Sequence, residues 1–228
     1  MVFLTGGTGF VGGYVLRRLL KDGREVRATV RDTKGAHSIE QSGAHAARAD
    51  ILDTDALAQA MEGAEAAINL VGIISELPSK GITFEKIHHR AAESFVEAAK
   101  RAGVQRIVHM SALGARENND ASEYHRTKYL GERAVVDSGL TYTIFRPSTQ
   151  VGAGGEFVDM MMDMISMAPV MPVLGSGEYK MQPMDVEDTA ALFCIALDTP
   201  ASENRIYEAG GPRQMSYLEL LDAFMQAM

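Results

Sequence analysis

The sequence has no tryptophan and one cysteine, Cys194, so no internal disulfide can form. Its neighbours Leu192, Phe193 and Ile195 mark that thiol as a small buried hydrophobe, and the chain reads as a protein of a reducing compartment. Positive charge is also scarce: 22 Lys and Arg stand against 30 Asp and Glu, a net charge of -8. A surface that tracks a phosphate backbone needs clustered cations, so nucleic-acid partners are excluded. No apolar run approaches the roughly 18 residues of a membrane span, so no transmembrane segment is expected. The first residues are apolar and strand-like where a secretory leader would carry charge, so a cytoplasmic protein is expected, free or peripheral to a membrane complex. Metal-ligand spacing is missing too. His88 and His89 are adjacent, and neighbouring side chains diverge by about 100° on a helix, so no metal is expected.

The absence of low-complexity tracts, with 46% apolar residues over 228 positions, fits one α/β domain with a large core and a small appendage. The stretch from Val2 to Gly12, VFLTGGTGFVG, is an apolar strand that breaks into glycines and passes into a helical pattern at Val11, Val15 and Leu19. Its glycines read as Gly6-x-x-Gly9-x-x-Gly12 or Gly7-x-Gly9-x-x-Gly12, and either spacing is a dinucleotide fingerprint between a first strand and a first helix. Glycine lets a ligand approach the main chain, and the helix after the turn aims its free N–H groups at the same spot. Gly6, Thr8, Gly9, Phe10, Val11 and Gly12 are therefore candidate pyrophosphate-binding residues.

A second strand, Glu25–Val30, ends before Arg31, with Lys34 close behind. Cations there suit a ribose 2′-phosphate, so NADP(H) is favoured, while Asp32 keeps NAD(H) as the alternative. Ala44–Ala49 leads to Asp50 and Ile51, placed to flank an adenine ring, and Asp53 or Thr54 offers a cap for the helix after them. A fourth strand, Ala66–Val71, brings Leu70 and Gly72 to the nicotinamide ribose, where glycine keeps the space open. Apolar positions from Phe84 to Ala102 step by three and four, predicting one helix over Thr83–Ala102 capped by Gly103. Strand Arg106–Met110 then delivers Ser111. Alternating strands and helices predict a parallel, doubly wound α/β sheet.

Tyr124 and Lys128 lie four residues apart in YHRTK, so phenol and ammonium share one helix face. An ammonium beside a phenol favours the phenolate and lowers its pKa, which suits proton transfer near neutral pH. Tyr-x-x-x-Lys alone is common. Following a glycine-rich turn, five strands and a serine, it resembles the short-chain dehydrogenase/reductase superfamily. The resemblance implies Tyr124 as general acid/base, Lys128 as ribose ligand and tuner of the tyrosine, and Ser111 as the group that orients a carbonyl. The segments TGGTGFVG, VRD, VHMSALGA, YHRTK, TIFRPS and MQPMDVEDTA are similar to the extended and atypical branch, NAD-dependent epimerase/dehydratase-like, that contains the nucleotide-binding accessory subunit of respiratory complex I and its bacterial relatives. Within that branch His88 takes the place of an asparagine that supports the active-site water network. Arg146 and Pro147, after the strand Tyr142–Phe145, resemble residues that line the nicotinamide amide.

Residues 1–150 thus read as the dinucleotide-binding domain and 151–228 as a small substrate-side lobe, interleaved with returning elements and truncated relative to the family. Between Met160 and Met184 lie eight of the fourteen methionines, broken by Pro169, Pro172, Gly175 and Gly177. Methionine is unbranched and adaptable, which fits a yielding apolar pocket, a partner surface or a tolerant core helix. Only Arg146 and Lys180 offer themselves as clamps for a sugar diphosphate. Val186–Leu197 reads as a helix, Arg205–Ala209 as a strand and Ser216 with Glu219 as a capping box for a last helix, with Met228 inside or just after it. Two functions are compatible with these features: an NAD(P)-dependent oxidoreductase, epimerase or dehydratase acting on a carbonyl or alcohol of an unidentified small molecule, or a non-catalytic dinucleotide-holding subunit with a protein partner or as a homodimer.

Overall fold

The computed structural model describes residues 1–167, 173 and 175–227. In chain order its elements begin with β1 (Val2–Thr5), α1 (Phe10–Lys21), β2 (Val26–Val30), α2 (Thr33–Gln41), β3 (His45–Arg48), α3 (Thr54–Met61) and β4 (Ala66–Asn69). Then come α4 (Ala91–Arg101), β5 (Arg106–Met110), α5 (Glu123–Val136), β6 (Thr141–Pro147), β7 (Gln150–Val151) and α6 (Glu156–Met167). The chain closes with β8 (Lys180–Met181), β9 (Met184–Asp185), α7 (Val186–Leu197), β10 (Arg205–Ala209), β11 (Met215–Ser216) and α8 (Tyr217–Ala227).

Seven strands form one sheet in the order β10-β6-β5-β4-β1-β2-β3, and every neighbouring pair is parallel. Parallel strands covered on both faces need apolar side chains in both directions, which is why β1 and β4 are buried at all four positions. Val2, Leu4, Ile68, Val108 and Phe145 face α1 and α7 through Val15, Leu19 and Phe193. Their neighbours Phe3, Ala67, Ile107 and Ile144 face α3, α4 and α5 through Leu57, Phe95 and Val135. The doubly wound sheet expected from the alternation is thus observed. The order reverses at β1, which lies between β4 and β2, so the ligand crevice of such a sheet opens above the carboxyl ends of β1 and β4.

Three local features differ from the sequence-based expectation. The helix expected over Thr83–Ala102 is split: Glu85–Arg90 is π-helical, and only Ala91–Arg101 is a regular α-helix. A π-turn inserts an extra residue and rotates the residues after it, a distortion that periodicity hides because the apolar positions still recur by threes and fours. β4 stops at Asn69 rather than Val71, because Asn69 turns its carboxamide back to accept from the amide of Val71 at 3.3 Å. Between β2 and β3 lies α2, whose short pattern has no apolar stripe beyond the buried Ile39.

The later residues build a satellite beside the sheet. α6 and α8 share a small core of Met161, Tyr217 and Leu221, flanked by Phe157, Ile165, Met181 and Phe224. β8 pairs with β11 antiparallel and β7 with β9 in parallel, while α7 and β10 return to the main sheet. Ser216 and Glu219 form the expected capping box, each side chain bonding the other's amide at 3.1 and 2.6 Å. Pro169, Met171, Pro172 and Met228 lie outside the described residues.

Candidate active site

The turn from β1 into α1 is a backbone device. Gly9 donates to the Gly6 carbonyl at 2.9 Å, and Gly6 sits at φ +77°, a conformation L side chains avoid. A Cβ on Gly12 would lie 1.9 Å from the Gly6 carbonyl oxygen, so the start of α1 packs directly onto the turn only because Gly12 has no side chain. Gly9 caps α1 without a side-chain acceptor. The first amides of the helix, at Phe10, Val11 and Gly12, have no acceptor within it and are oriented for an anion. Thr8 and Gly9 are exposed there, and Phe10 packs edge-on against Tyr14, whose hydroxyl ties the turn to the Ala153 carbonyl at 3.0 Å.

At the ends of β2 and β3 the side chains divide the work. β2 ends at Val30, so Arg31 is the first residue beyond the strand, exposed together with Lys34. Asp32 is committed as the cap of α2, its carboxylate accepting from the Gly35 amide at 2.7 Å. Asp50 accepts from the Leu52 amide at 2.9 Å and Asp53 caps α3, while Ile51 is half-buried between them.

The deeper end of the crevice is made of side chains. Lys128 is buried on α5 and donates to the Met110 carbonyl at 3.3 Å. Burial pulls its pKa down to about 8, against the pull of Glu132 one turn further on. A Cβ on Gly72, just beyond Leu70, would lie 2.9 Å from the Lys128 ammonium. Ser111 directly follows Met110 and its amide donates to the Phe145 carbonyl at 2.8 Å. Its hydroxyl is the one buried side-chain oxygen or nitrogen among the described residues with no hydrogen-bond partner. Buried hydroxyls are normally paired, so an orphan here points to a polar group brought by a ligand.

Three aromatic rings hold the Tyr124 ring edge-to-face: Phe84 at 5.5 Å, His88 at 5.1 Å and His125 at 5.3 Å between centroids. Burial raises the Tyr124 pKa, which reverses the expected direction. Burial within this aromatic collar is the cause, and the Lys128 ammonium is turned to the Met110 carbonyl. His88 is buried on the π-helical turn, with Nδ1 on Thr127 Oγ1 at 3.0 Å and Nε2 against the backbone of Ile73. Burial first, and Lys128 second, push its pKa down to about 3, so the ring is neutral. Arg146 forks onto buried Glu132 at 2.8 and 2.7 Å and also faces Glu208, while Pro147 ends β6.

One group of polar residues escapes sequence reasoning. Thr5, Asn69 and His109 are register partners on β1, β4 and β5, all buried. Thr5 Oγ1 donates to Asn69 Oδ1 at 2.7 Å, and the Asn69 amide nitrogen meets His109 Nδ1 at 3.2 Å. Burial pushes the His109 pKa down to about 3, with Lys128 and His88 adding to the effect. The detectable signal is that each is the polar residue at or next to the carboxyl end of a strongly apolar strand.

The described residues contain no group of three or more His, Cys, Asp or Glu able to hold a metal, and no helix among them is long and apolar enough to cross a membrane. The model of the NAD dependent epimerase/dehydratase family matches residues 2–210. The chain is 30% identical over 224 residues to subunit 9 of the NADH dehydrogenase [ubiquinone] 1 alpha subcomplex, mitochondrial, of Arabidopsis thaliana, covering 95% of this chain and 55% of that protein. It is 31% identical over 200 residues to a ceramide reductase of Caulobacter vibrioides, covering 88% and 62%. The chain therefore spans somewhat over half the length of these relatives. Among solved structures, the NADPH-dependent quinone oxidoreductase QOR2 of Escherichia coli, complexed with NADPH, superposes with a TM-score of 0.82 at 22% identity, over 100% of this chain and 75% of that one, a likeness of fold.

Proposed function

The chain belongs to the NAD-dependent epimerase/dehydratase family, and on that premise we propose that it is an NADP(H)-dependent reductase of a carbonyl group. The amides at the start of α1 hold the pyrophosphate, and Arg31 with Lys34 takes the 2′-phosphate. Asp32 Oδ1 is engaged in capping α2. Asp50 and Ile51 would border the adenine, and Lys128, with Leu70 and Gly72 nearby, would hold the ribose hydroxyls. His88 fixes the backbone of Ile73 beside them, and Arg146 and Pro147 back the amide end through the ion pair with Glu132. When bound, NADP(H) supplies the hydride. Ser111 donates to the carbonyl oxygen, and Tyr124 gives that oxygen its proton. Residues 151–228 supply the substrate side. The single observation that carries this reading is the unpartnered hydroxyl of Ser111 next to the residue whose carbonyl holds Lys128.

The test is titration of NADPH and NADH by nicotinamide fluorescence, followed by turnover of Tyr124→Phe. Tight NADPH binding with loss of turnover in the variant supports the reading; equal turnover overturns it. A second reading is favoured by the relative from a respiratory complex: a dinucleotide-holding subunit with a protein partner, in a reducing compartment. It requires the same cofactor affinity and no turnover with any carbonyl.

A further inference from the structure

Resting on the NADP(H) reading, we infer that Arg17 is a further specificity-determining residue, binding the cofactor's 2′-phosphate from the side opposite Arg31 and Lys34. α1 leaves the glycine turn with Phe10, Gly13, Tyr14 and Arg17 at intervals of three and four, so one helix face carries all four. That face lines a cavity of about 450 Å³, which also takes in Thr8 and Gly9 of the turn and Ser38 of α2. Among the described residues Arg17 is the one charged side chain on its wall, and no Asp or Glu lines it.

The conformation of Arg17 suits the task. Its guanidinium lies over the Tyr14 ring, 4.2 Å from the centroid, and one terminal nitrogen comes within 3.7 Å of where a Cβ on Gly13 would stand. The side chain thus folds back along the helix towards the turn, over a position that glycine leaves open. Tyr14 is itself held, by its hydroxyl on the Ala153 carbonyl at 3.0 Å and by the Phe10 ring packed edge-on against it. Stacking on a fixed ring restricts a long side chain before any ligand arrives and leaves the guanidinium fork free to hydrogen-bond. Arg18, the next residue, is paired with Asp22 at 3.0 Å, whereas among the described residues no carboxylate lies within ion-pair distance of Arg17. The ligand that fits this wall is a phosphate monoester, bound by the planar cation with the hydroxyls of Thr8 and Ser38 as further donors. Thr8 links the cavity to the other cations. Its methyl lies 3.5 Å from where a Cβ on Gly35 would stand, and Gly35 directly follows Lys34. A 2′-phosphate beside Thr8 would meet cations from α1 and from the start of α2, whereas NAD(H) offers Arg17 no partner.

The experiment titrates wild type, Arg17→Gln, Arg31→Ala and the double variant with NADPH and NADH by nicotinamide fluorescence. Calorimetry with adenosine 2′,5′-bisphosphate and adenosine 5′-monophosphate isolates the 2′-phosphate, the one group by which these fragments differ, and needs no turnover. Arg17 is exposed, and thermal melting checks that its variant folds. Arg17→Gln should weaken binding of NADPH and of the bisphosphate about tenfold while NADH and the monophosphate stay within about twofold, as expected for loss of one charge-assisted contact. The double variant should bind the two fragments about equally. An unchanged NADPH-to-NADH ratio in Arg17→Gln, or an equal loss for both cofactors, overturns the inference while leaving the reading standing. Inorganic phosphate binding that Arg17→Gln abolishes at an unchanged ratio would assign the cavity to a separate phosphate, and overturns it too. Failure of the wild type to bind NADPH, or to prefer it over NADH, sinks the reading itself.

Discussion

The two ends of the crevice are made of different material. At the Gly6–Gly12 end the groups offered to the crevice are main-chain amides, and the side chains matter by being absent: Gly12 is required because its Cβ would collide with a carbonyl 1.9 Å away. At the Ser111–Tyr124–Lys128 end the backbone only carries the groups, and the chemistry depends on how buried side chains shift one another. A backbone site tolerates few sequences and leaves a fixed glycine spacing. A side-chain site takes its properties from residues far apart in the chain, such as Glu132 and Lys128 on α5 or His109 on β5.

That contrast can be broken or sharpened by substitution. The largest effect is expected from Tyr124→Phe, which should lower kcat by about 10²–10⁴ while NADPH affinity stays within a few-fold, measured by steady-state kinetics and fluorescence titration. A parallel loss of affinity would mean that the deep end shapes the cofactor site as a whole. Gly12→Ala should weaken NADPH binding by at least about 100-fold and lower stability by about 1–3 kcal/mol, through overpacking of the turn. If binding survives, the turn is softer than its contacts imply.

The buried bases give a pH signature. His88 and His109 each titrate at about 3 when folded and near 6.5 when unfolded, so the unfolded chain binds more protons between those values. Stability should therefore fall as pH drops from 6.5 towards 3, and His109→Asn should flatten that slope by about one proton in urea titrations across the range. Lys128 has the same sign at higher pH. Its folded pKa of about 8 lies below the unfolded value, so cofactor-free protein should gain stability as pH rises from about 8 to 10, a gain absent in Lys128→Met. The smallest effect is expected at the rim of the backbone end. Arg31→Ala should lower the NADPH-to-NADH affinity ratio about tenfold, the worth of one charge-assisted contact. An unchanged ratio would remove Arg31 from recognition.

The fold is legible in the sequence because each strand is a short apolar run closed by a turn residue, and the parallel order comes from the helices between them. The glycine turn, the Asp53 and Ser216 caps and the delivery of Ser111 by β5 are local events, set within a few residues, and all are observed. What stays hidden is whatever depends on depth. The π-helical turn at Glu85–Arg90 preserves the apolar spacing while rotating His88 inward. The direction of the Tyr124 shift reverses because the collar of Phe84, His88 and His125 is assembled from two separate segments. Arg146 looks like a free cation until Glu132, fourteen residues earlier and on another element, is seen to hold it.

The row Thr5–Asn69–His109 joins these two ends. Thr5 immediately precedes Gly6, and His109 stands two residues before Ser111, so one hydrogen-bonded crossbar runs from the foot of the glycine turn to the strand that delivers Ser111. Its members are register partners on three adjacent strands, so their separation is fixed by the sheet spacing, two steps of about 4.8 Å or roughly 10 Å in all. The sheet therefore acts as a ruler. On the proposed reading, a dinucleotide anchored at the glycine turn would have its far end set by interstrand geometry, leaving the loops above free to vary.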